Sequence, residues 1–366
     1  MFERRLYFYF DWALLAAVLT LCAIGVAMIY SATYDPTTQS GEPLFRTQLI
    51  AIGIGLVALL ACLTIDYRTL ANNALLLYGM LVALLVYVLA FGPTIAGTQR
   101  WIPVGALSLQ PSEFAKVVVA IVLAMLFGES RGGSRTVKDL LLGGAFVALP
   151  MILIARQPDL GTAAVLVPLY LGVAYAAGLR LRFLATIGLV GLLLVPVVWT
   201  FALRDYQKTR IVTFLNPELD ARGAGYQQIQ ARITVGSGGV TGKGYLQGTQ
   251  GQYKFLPVAH NDFIFSVLAE EQGFLGVLFT LGLYLFVILR GIETARLSKD
   301  RVGAYLVVGV LSVFSFQVLY TVAMSAGLAP VKGLTLPLLS YGGSSVIATM
   351  AGFGLVLNVR MRRFSN

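Results

Sequence analysis

Apolar residues in this chain come in long unbroken runs, without the alternation of half-buried strands and without a single polar stripe per helix. The first run, Trp12 to Tyr34, already exceeds the roughly 20 residues that cross a hydrocarbon core. It lacks an A-x-A cleavage pattern, so it reads as a retained helix and not a signal peptide. The same pattern predicts ten helices, over 12–32, 46–65, 72–92, 112–128, 140–156, 159–178, 183–203, 263–289, 303–327 and 337–359. No soluble-domain-sized segment interrupts them. The predicted fold class is therefore all-α, a polytopic integral membrane protein of one domain over 1–366, with one long extramembrane loop at 204–262.

Composition agrees. The 366 residues are 57% hydrophobic and 12% charged, with mean hydropathy +0.80, against about 25% charged in soluble domains. Net charge is +10, which in a soluble protein would suggest nucleic acid. Here the cations partition by loop. On the side of the N-terminal segment lie Arg4, Arg5, Arg68, Arg131, Arg135, Lys138, Arg180, Arg182, Arg290, Arg296, Lys299, Arg301, Arg360, Arg362 and Arg363; the short loops opposite hold Arg46, Arg100, Arg156 and Lys332. Such a bias places both termini in the cytoplasm and the 204–262 loop outside, with no nucleic-acid partner. Cys22 and Cys62 fall in apolar runs, so neither a disulfide framework nor a metal cluster is readable.

The polar residues left inside or beside apolar runs are the candidate chemistry, because ionisable groups at membrane depth are costly. Glu113 and Lys116 share a helix face at i,i+3; they form either an end pair reaching the interface or a pair facing an internal cavity. Asp159 lies in the short turn Arg156–Thr162, which sits at the membrane surface or dips into it, and can simply cap the sixth helix. The long loop is glycine-rich between Gly223 and Gly251, and its 226–233 stretch can form a short surface helix. Ser237–Gly244, SGGVTGKG, imitates a nucleotide-binding loop but has Ser at the first position and Gly after Lys243, and is rejected as one. Leu336–Ser345, with Gly342, Gly343 and Ser344, opens the last helix; its small residues allow close packing or expose N–H groups to an anion. The 254–273 stretch holds the only histidine, His260, then Asp262 at a helix start. Glu270 and Glu271 follow, expected about 12 Å further along that helix. From spacing alone Asp262 is a catalytic carboxylate or a helix cap.

Five blocks, in order, resemble the SEDS family (shape, elongation, division and sporulation proteins), the RodA and FtsW polymerases of bacterial cell wall. They are Trp101 with Gln110–Lys116 (QPSEFAK), Gln157–Thr162 (QPDLGT), Arg210–Pro217 (RIVTFLNP), Gly236–Gly244 leading into Gly248–Phe265, and Pro337–Ser345 (PLLSYGGSS). The similarity covers essentially the whole chain and is greater to RodA, given the short N-terminal tail and Leu339 before Ser340–Gly343. One departure is Asn261, where many relatives carry Thr.

The resemblance implies a peptidoglycan glycosyltransferase of the bacterial cytoplasmic (inner) membrane. It would join lipid II units into β-1,4 glycan strands by inverting displacement of undecaprenyl pyrophosphate. Expected partners are a class B penicillin-binding protein and other cell-elongation proteins, and the expected cofactor is a divalent cation, Mg or Mn, with unassigned ligands. Asp262 is the expected base for the attacking hydroxyl; His260 is a weaker candidate for that role. Arg210 and Lys243 are expected to meet the pyrophosphate, and His260, Trp101 and Ser344 to bind substrate. Glu113, Lys116 and Asp159 are expected to form a buried polar cluster, with the one cation between two carboxylates. A lipid II flippase and a non-catalytic scaffold remain the rivals. A secondary transporter would show an inverted repeat between the halves, and none is visible.

Overall fold

The computed structural model describes residues 9–35, 40–41, 44–95, 98–105, 107–129, 137–179, 205–220, 223–253 and 255–363, with isolated positions between 182 and 200. The transmembrane-type helices are α1 (Trp12–Thr33), α2 (Leu44–Thr64), α4 (Ala74–Phe91), α5 (Pro111–Glu129), α6 (Val137–Arg156), α7 (Leu160–Ala176), α11 (Ile264–Arg296), α12 (Arg301–Ser325) and α13 (Gly343–Met361). Eight of these are long and apolar enough to cross a membrane, and α7 is apolar but shorter. Short helices α3 (Tyr67–Asn72), α8 (Asp205–Leu215), α9 (Ala224–Ser237) and α10 (Thr249–Gln252) connect them. So do the hairpins β1–β2 (Tyr34–Asp35, Ser40–Gly41) and β3–β4 (Ile102–Val104, Leu107–Leu109). Apart from those isolated positions, the expected seventh helix, 183–203, lies outside the described residues.

The centre of the bundle is α13, nearly all of it buried, whereas α2, α4 and α6 keep most of their residues on the outside. Helix α13 packs on α2 and α12, and α12 in turn on α5, α7 and α11. Close approach of α13 to α2 depends on glycine: a Cβ at Gly354 would stand 2.7 Å from the Leu59 carbonyl, and one at Gly55 2.7 Å from Met350 Sδ. Small residues do bring helices together here, but in mid-helix, one or more turns past the Gly342–Ser345 start.

Two helix boundaries differ from expectation for reasons the sequence does not carry. The last helix begins at Gly343, not residue 337. The amides that would have continued it backwards are taken elsewhere: Tyr341 N donates to the His260 carbonyl, Gly342 N to Gln48 Oε1, and Leu336 N to Ser340 Oγ. The helix over Ile264–Arg296 runs past the expected 289 and is broken at Gly273 (φ 63°, ψ −165°). That backbone region is essentially glycine-only. Glu270 and Glu271 therefore sit in a short helical piece before the break, under a folded loop, and not along a continuous membrane span.

The folded loop is the glycine-rich segment that imitates a nucleotide site. Its amides dock on the break: Lys243 N on the Glu270 carbonyl, Gly244 N on the Glu271 carbonyl, and in return Phe274 N on Gly239 O and Leu275 N on Val240 O. A Cβ at Gly238 would lie 1.9 Å from the Ala269 carbonyl. The glycines serve backbone-to-backbone contact. The stretch expected as a short surface helix is α9, whose Ala231 joins a small cluster with Leu256, Phe263 and Val331. That cluster ties the loop to the bundle beside Asp262.

Candidate active site

A cavity of about 390 Å³ opens where the ends of α2, α5, α7 and α13 converge with β3–β4 and the 331–335 loop. Its walls carry Arg100, Trp101, Gln110, Glu113, Asp159, His260, Asn261, Gly333 and Gly342–Ser345, among others. Six of the nine sequence-derived candidates thus belong to or border one space: Trp101, Glu113, Asp159, His260 and Ser344 line it, and Asp262 lies just behind. A Cβ on lining residue Gly333 would be 3.8 Å from Asp262 Oδ2.

Asp262 closes the turn before α11, held by its own amide on the Val258 carbonyl. Phe263 on its C-terminal side is buried, and its Oδ1 is buried with no hydrogen-bond partner. The capping alternative fails, because the N-cap of α11 is Phe263 and no side chain caps the helix. Burial pushes the Asp262 carboxyl up to about 6, against the positive charges of Arg210 and Arg100, which pull it down. A carboxylate brought near neutrality by desolvation is suited to accept a proton.

Three sets of contacts shape the walls. Arg100 places its guanidinium 5.6 Å over the Trp101 ring, and its Nε is buried without a hydrogen-bond partner. Ser344 Oγ accepts from Gln110 N and donates to the Ser108 carbonyl, both at 2.9 Å, which joins α13 to the start of α5. His260 meets Tyr341 edge-on at 5.8 Å between ring centroids, and its carbonyl receives the Tyr341 amide. His260 therefore belongs to the wall and its loop connection. The start of α13 faces the cavity with Gly342, Gly343 and Ser345 alongside Ser344, so the positive end of that helix is available to an anion.

The polar cluster differs from expectation. Lys116 Nζ binds Glu113 Oε2 at 2.7 Å and Gln317 Oε1 at 3.3 Å, deep in the bundle. Asp159 is not its second carboxylate. Instead Asp159 Oδ2 accepts from Gln110 Nε2 (2.7 Å) and Ser112 Oγ (3.3 Å), and Oδ1 accepts from Thr162 N (3.1 Å). Hence Asp159 does cap α7 and lines the cavity as well. Its turn is buried, with Gln157 Nε2 bound to the Leu85 carbonyl and a Cβ at Gly161 only 2.8 Å from the Lys332 carbonyl.

The cations separate too. Arg210, on α8, donates to the Val331 carbonyl at 3.4 Å and acts electrostatically on Asp262. Lys243 is not among the lining residues; its Nζ is 2.6 Å from Glu270 Oε1 and 2.9 Å from Thr249 Oγ1. Glu270 also accepts from Thr249 N and Gln250 N, so Lys243 braces the loop. The cation that sequence reasoning passed over is Arg100, whose signal was its place next to Trp101 in a matched block.

For a divalent ion, no group of three His, Cys, Asp or Glu side chains comes together among the described residues. Glu113 and Asp159, the two lining carboxylates, are already engaged. An all-protein cage does not fit. What fits is the magnesium-type arrangement, in which one or two carboxylates add to substrate phosphates and water.

A model of the cell cycle protein family of FtsW, RodA and SpoVE matches residues 12–364. The peptidoglycan glycosyltransferase MrdB of Escherichia coli is 37% identical over 96% of this chain and 94% of its own length. A chain in a solved peptidoglycan synthase complex that coordinates polymerization and crosslinking superposes with a TM-score of 0.83, at 33% identity over 98% of this chain and 99% of that one. The rod shape determining protein RodA of Thermus thermophilus gives 0.73, at 32% identity over 98% of both chains. A match of this extent, on the same helices that build the cavity, means that this chain belongs to the FtsW, RodA and SpoVE family of cell cycle proteins, multi-pass proteins of the bacterial inner membrane.

Proposed function

We propose that this chain is a peptidoglycan glycosyltransferase of the RodA type, which polymerises lipid II into β-1,4 glycan strands for cell elongation. The observation that carries the reading is Asp262: a carboxylate with a buried, unpartnered oxygen, beside a cavity that also offers Arg100 and a helix N-terminus. The acceptor's 4-hydroxyl oxygen attacks the anomeric carbon of the donor as Asp262 takes the hydroxyl proton. The bond from that carbon to the pyrophosphate oxygen breaks, the α linkage becomes β, and undecaprenyl pyrophosphate leaves with the electron pair.

Supporting roles follow from position. Arg100, Arg210 and the amides opening α13 neutralise the departing pyrophosphate. Trp101 offers a flat apolar face for a sugar, and His260 and Ser344 hold the wall in register. A divalent ion bound by the pyrophosphate, with Glu113 or Asp159 nearby, would supply further charge neutralisation. Chelation is then expected to lower polymerisation while leaving the melting temperature of the substrate-free protein unchanged. The partner that fits the similarity to the synthase complex is a class B penicillin-binding protein.

The test is a gel assay of purified protein with lipid II, wild type beside Asp262→Asn, with and without the class B partner and magnesium or manganese. Glycan strands from wild type alone are expected. Strands from both would remove Asp262 from the chemistry. Strands from neither, with labelled lipid II still moving across liposomes, would establish a flippase instead.

A further inference from the structure

Helix α2 buries one stripe of residues against the bundle, Gln48, Ala51, Gly55, Leu59 and Leu63, spaced three or four positions apart. Four of these are apolar or small. Gln48, at the end of the stripe beside the cavity, is polar and only 1% exposed, and its neighbour Thr47 lines that cavity. A primary amide withdrawn from water is costly unless both its ends find partners. The partners of Gln48 lie 292 and 294 positions away: Nε2 donates to the Ser340 carbonyl at 3.4 Å, and Oε1 accepts from Gly342 N at 3.2 Å.

These two bonds flank Tyr341. The carboxamide acts as one peptide unit of a neighbouring strand would, gripping the backbone on both sides of a residue that lines the cavity and meets His260 edge-on. Gly342 is also the N-cap of α13 and has no side chain with which to cap it. The Gly343, Ser344 and Ser345 amides that follow have no acceptor among the described residues, and all three residues line the cavity. Arg100, whose Nε is buried without a partner, faces the same space from the segment before β3. Positive charge therefore reaches the cavity from two unrelated elements, and Gln48 holds one of them in place.

We propose that Gln48 is a positioning residue for sugar transfer: by holding Ser340–Gly342 it aims the first amides of α13 at the pyrophosphate oxygen that gains charge as the anomeric bond breaks. The inference rests on the glycosyltransferase reading above. Gln48 does not itself line the cavity and acts through the Gly342 backbone. Because the helix start meets charge that develops only as the bond breaks, loosening it costs turnover before it costs substrate binding. Misplacing a catalytic group by about 1 Å costs on the order of 100-fold in rate.

The experiment is steady-state polymerisation of lipid II by the full-length protein with its class B partner, comparing wild type, Gln48→Met and Gln48→Glu, with a thermal melt of each. Gln48→Met keeps the side-chain length and loses both bonds. Its kcat is expected to fall about 10- to 100-fold, with KM changed by less than about threefold. Gln48→Glu keeps an acceptor for Gly342 N, loses the donor to Ser340 and sets a negative charge behind the helix start. Its kcat is expected to fall further, and undecaprenyl pyrophosphate to inhibit it more weakly than it inhibits wild type. If Gln48→Met fails to fold, Gln48→Glu carries the test. Retained kcat in a folded variant, or a change confined to KM or to melting temperature, overturns the proposal and leaves Gln48 a strut between α2 and α13. No strands from wild type would instead overturn the glycosyltransferase reading, and this inference with it.

Discussion

At the scale of single residues, the behaviour of Asp262 follows from where its charge is stored. Burial raises its carboxyl to about 6, so deprotonated base is lost as pH falls below that value, and kcat/KM is expected to fall about tenfold per pH unit there. A pH–rate profile flat down to pH 5 would contradict the assignment. The stability effect runs the other way. Its folded-state value is raised, so Asp262 contributes stability below pH 4 and loses it as pH rises through about 6. Asp262→Asn is therefore expected to abolish polymerisation, by at least about 100-fold, yet to melt no lower than wild type at pH 7, with a gain of up to about 3 kcal/mol that disappears near pH 4. Lys116 behaves oppositely. Lys116→Ala strands Glu113 at 6% exposure, a loss of about 3–5 kcal/mol. Lys116→Met with Glu113→Gln is expected to recover most of it in thermal melts. Residue types were legible in the sequence at both positions, since an ionisable group in an apolar run is conspicuous. Their partners were not: Gln317 lies 201 positions from Lys116, and no local spacing connects them.

At the scale of elements, the break at Gly273 and the loop docked on it act as one unit. A Cβ at Gly273 would lie 2.2 Å from Gly242 N, in a backbone conformation closed to other residues. Gly273→Ala is expected to release the 238–250 segment, read as faster proteolytic nicking there and a lower melting temperature. Lys243→Ala tests the same unit from the side-chain end. It leaves Glu270 without its ion pair but with the Thr249 and Gln250 amides, so a loss of about 1–3 kcal/mol is expected in chemical denaturation. Residual polymerisation at a temperature where the variant is folded would show that Lys243 braces the loop and does not meet pyrophosphate. Sequence reading left the glycine-rich backbone between Gly223 and Gly251 either to fold tightly or to approach a ligand closely, and rejected SGGVTGKG as a nucleotide site. It was right that the backbone must approach something closely; what it approaches is the chain itself, at Ala269–Gly273, and only the fold brings those segments together.

At the scale of the whole molecule, the loop charges predict that Tyr9 and Arg363 share the cytoplasmic face and that the 204–262 loop lies outside. Cysteine placed at exposed Val240 should react with a membrane-impermeant maleimide in intact spheroplasts, and cysteine at Leu297 only after lysis. The reverse pattern would invert the topology. Much of this architecture was determined by sequence alone, because a membrane helix is a local object: a run of apolar residues closes its own backbone hydrogen bonds and needs no partner to be recognised. Hence nine of the ten expected spans have counterparts among the described residues, most within two or three residues at each end. The tertiary structure alone decided which polar residues meet. It brought Arg100, Trp101, Asp159, His260 and Ser344 to one cavity with Asp262 behind it, and sent Lys243 to Glu270. It started the last helix at Gly343 by drawing the preceding amides to His260 and Gln48. Those choices are contacts between distant parts of the chain, settled by burial and hydrogen-bond satisfaction across the bundle, and a one-dimensional pattern does not contain them.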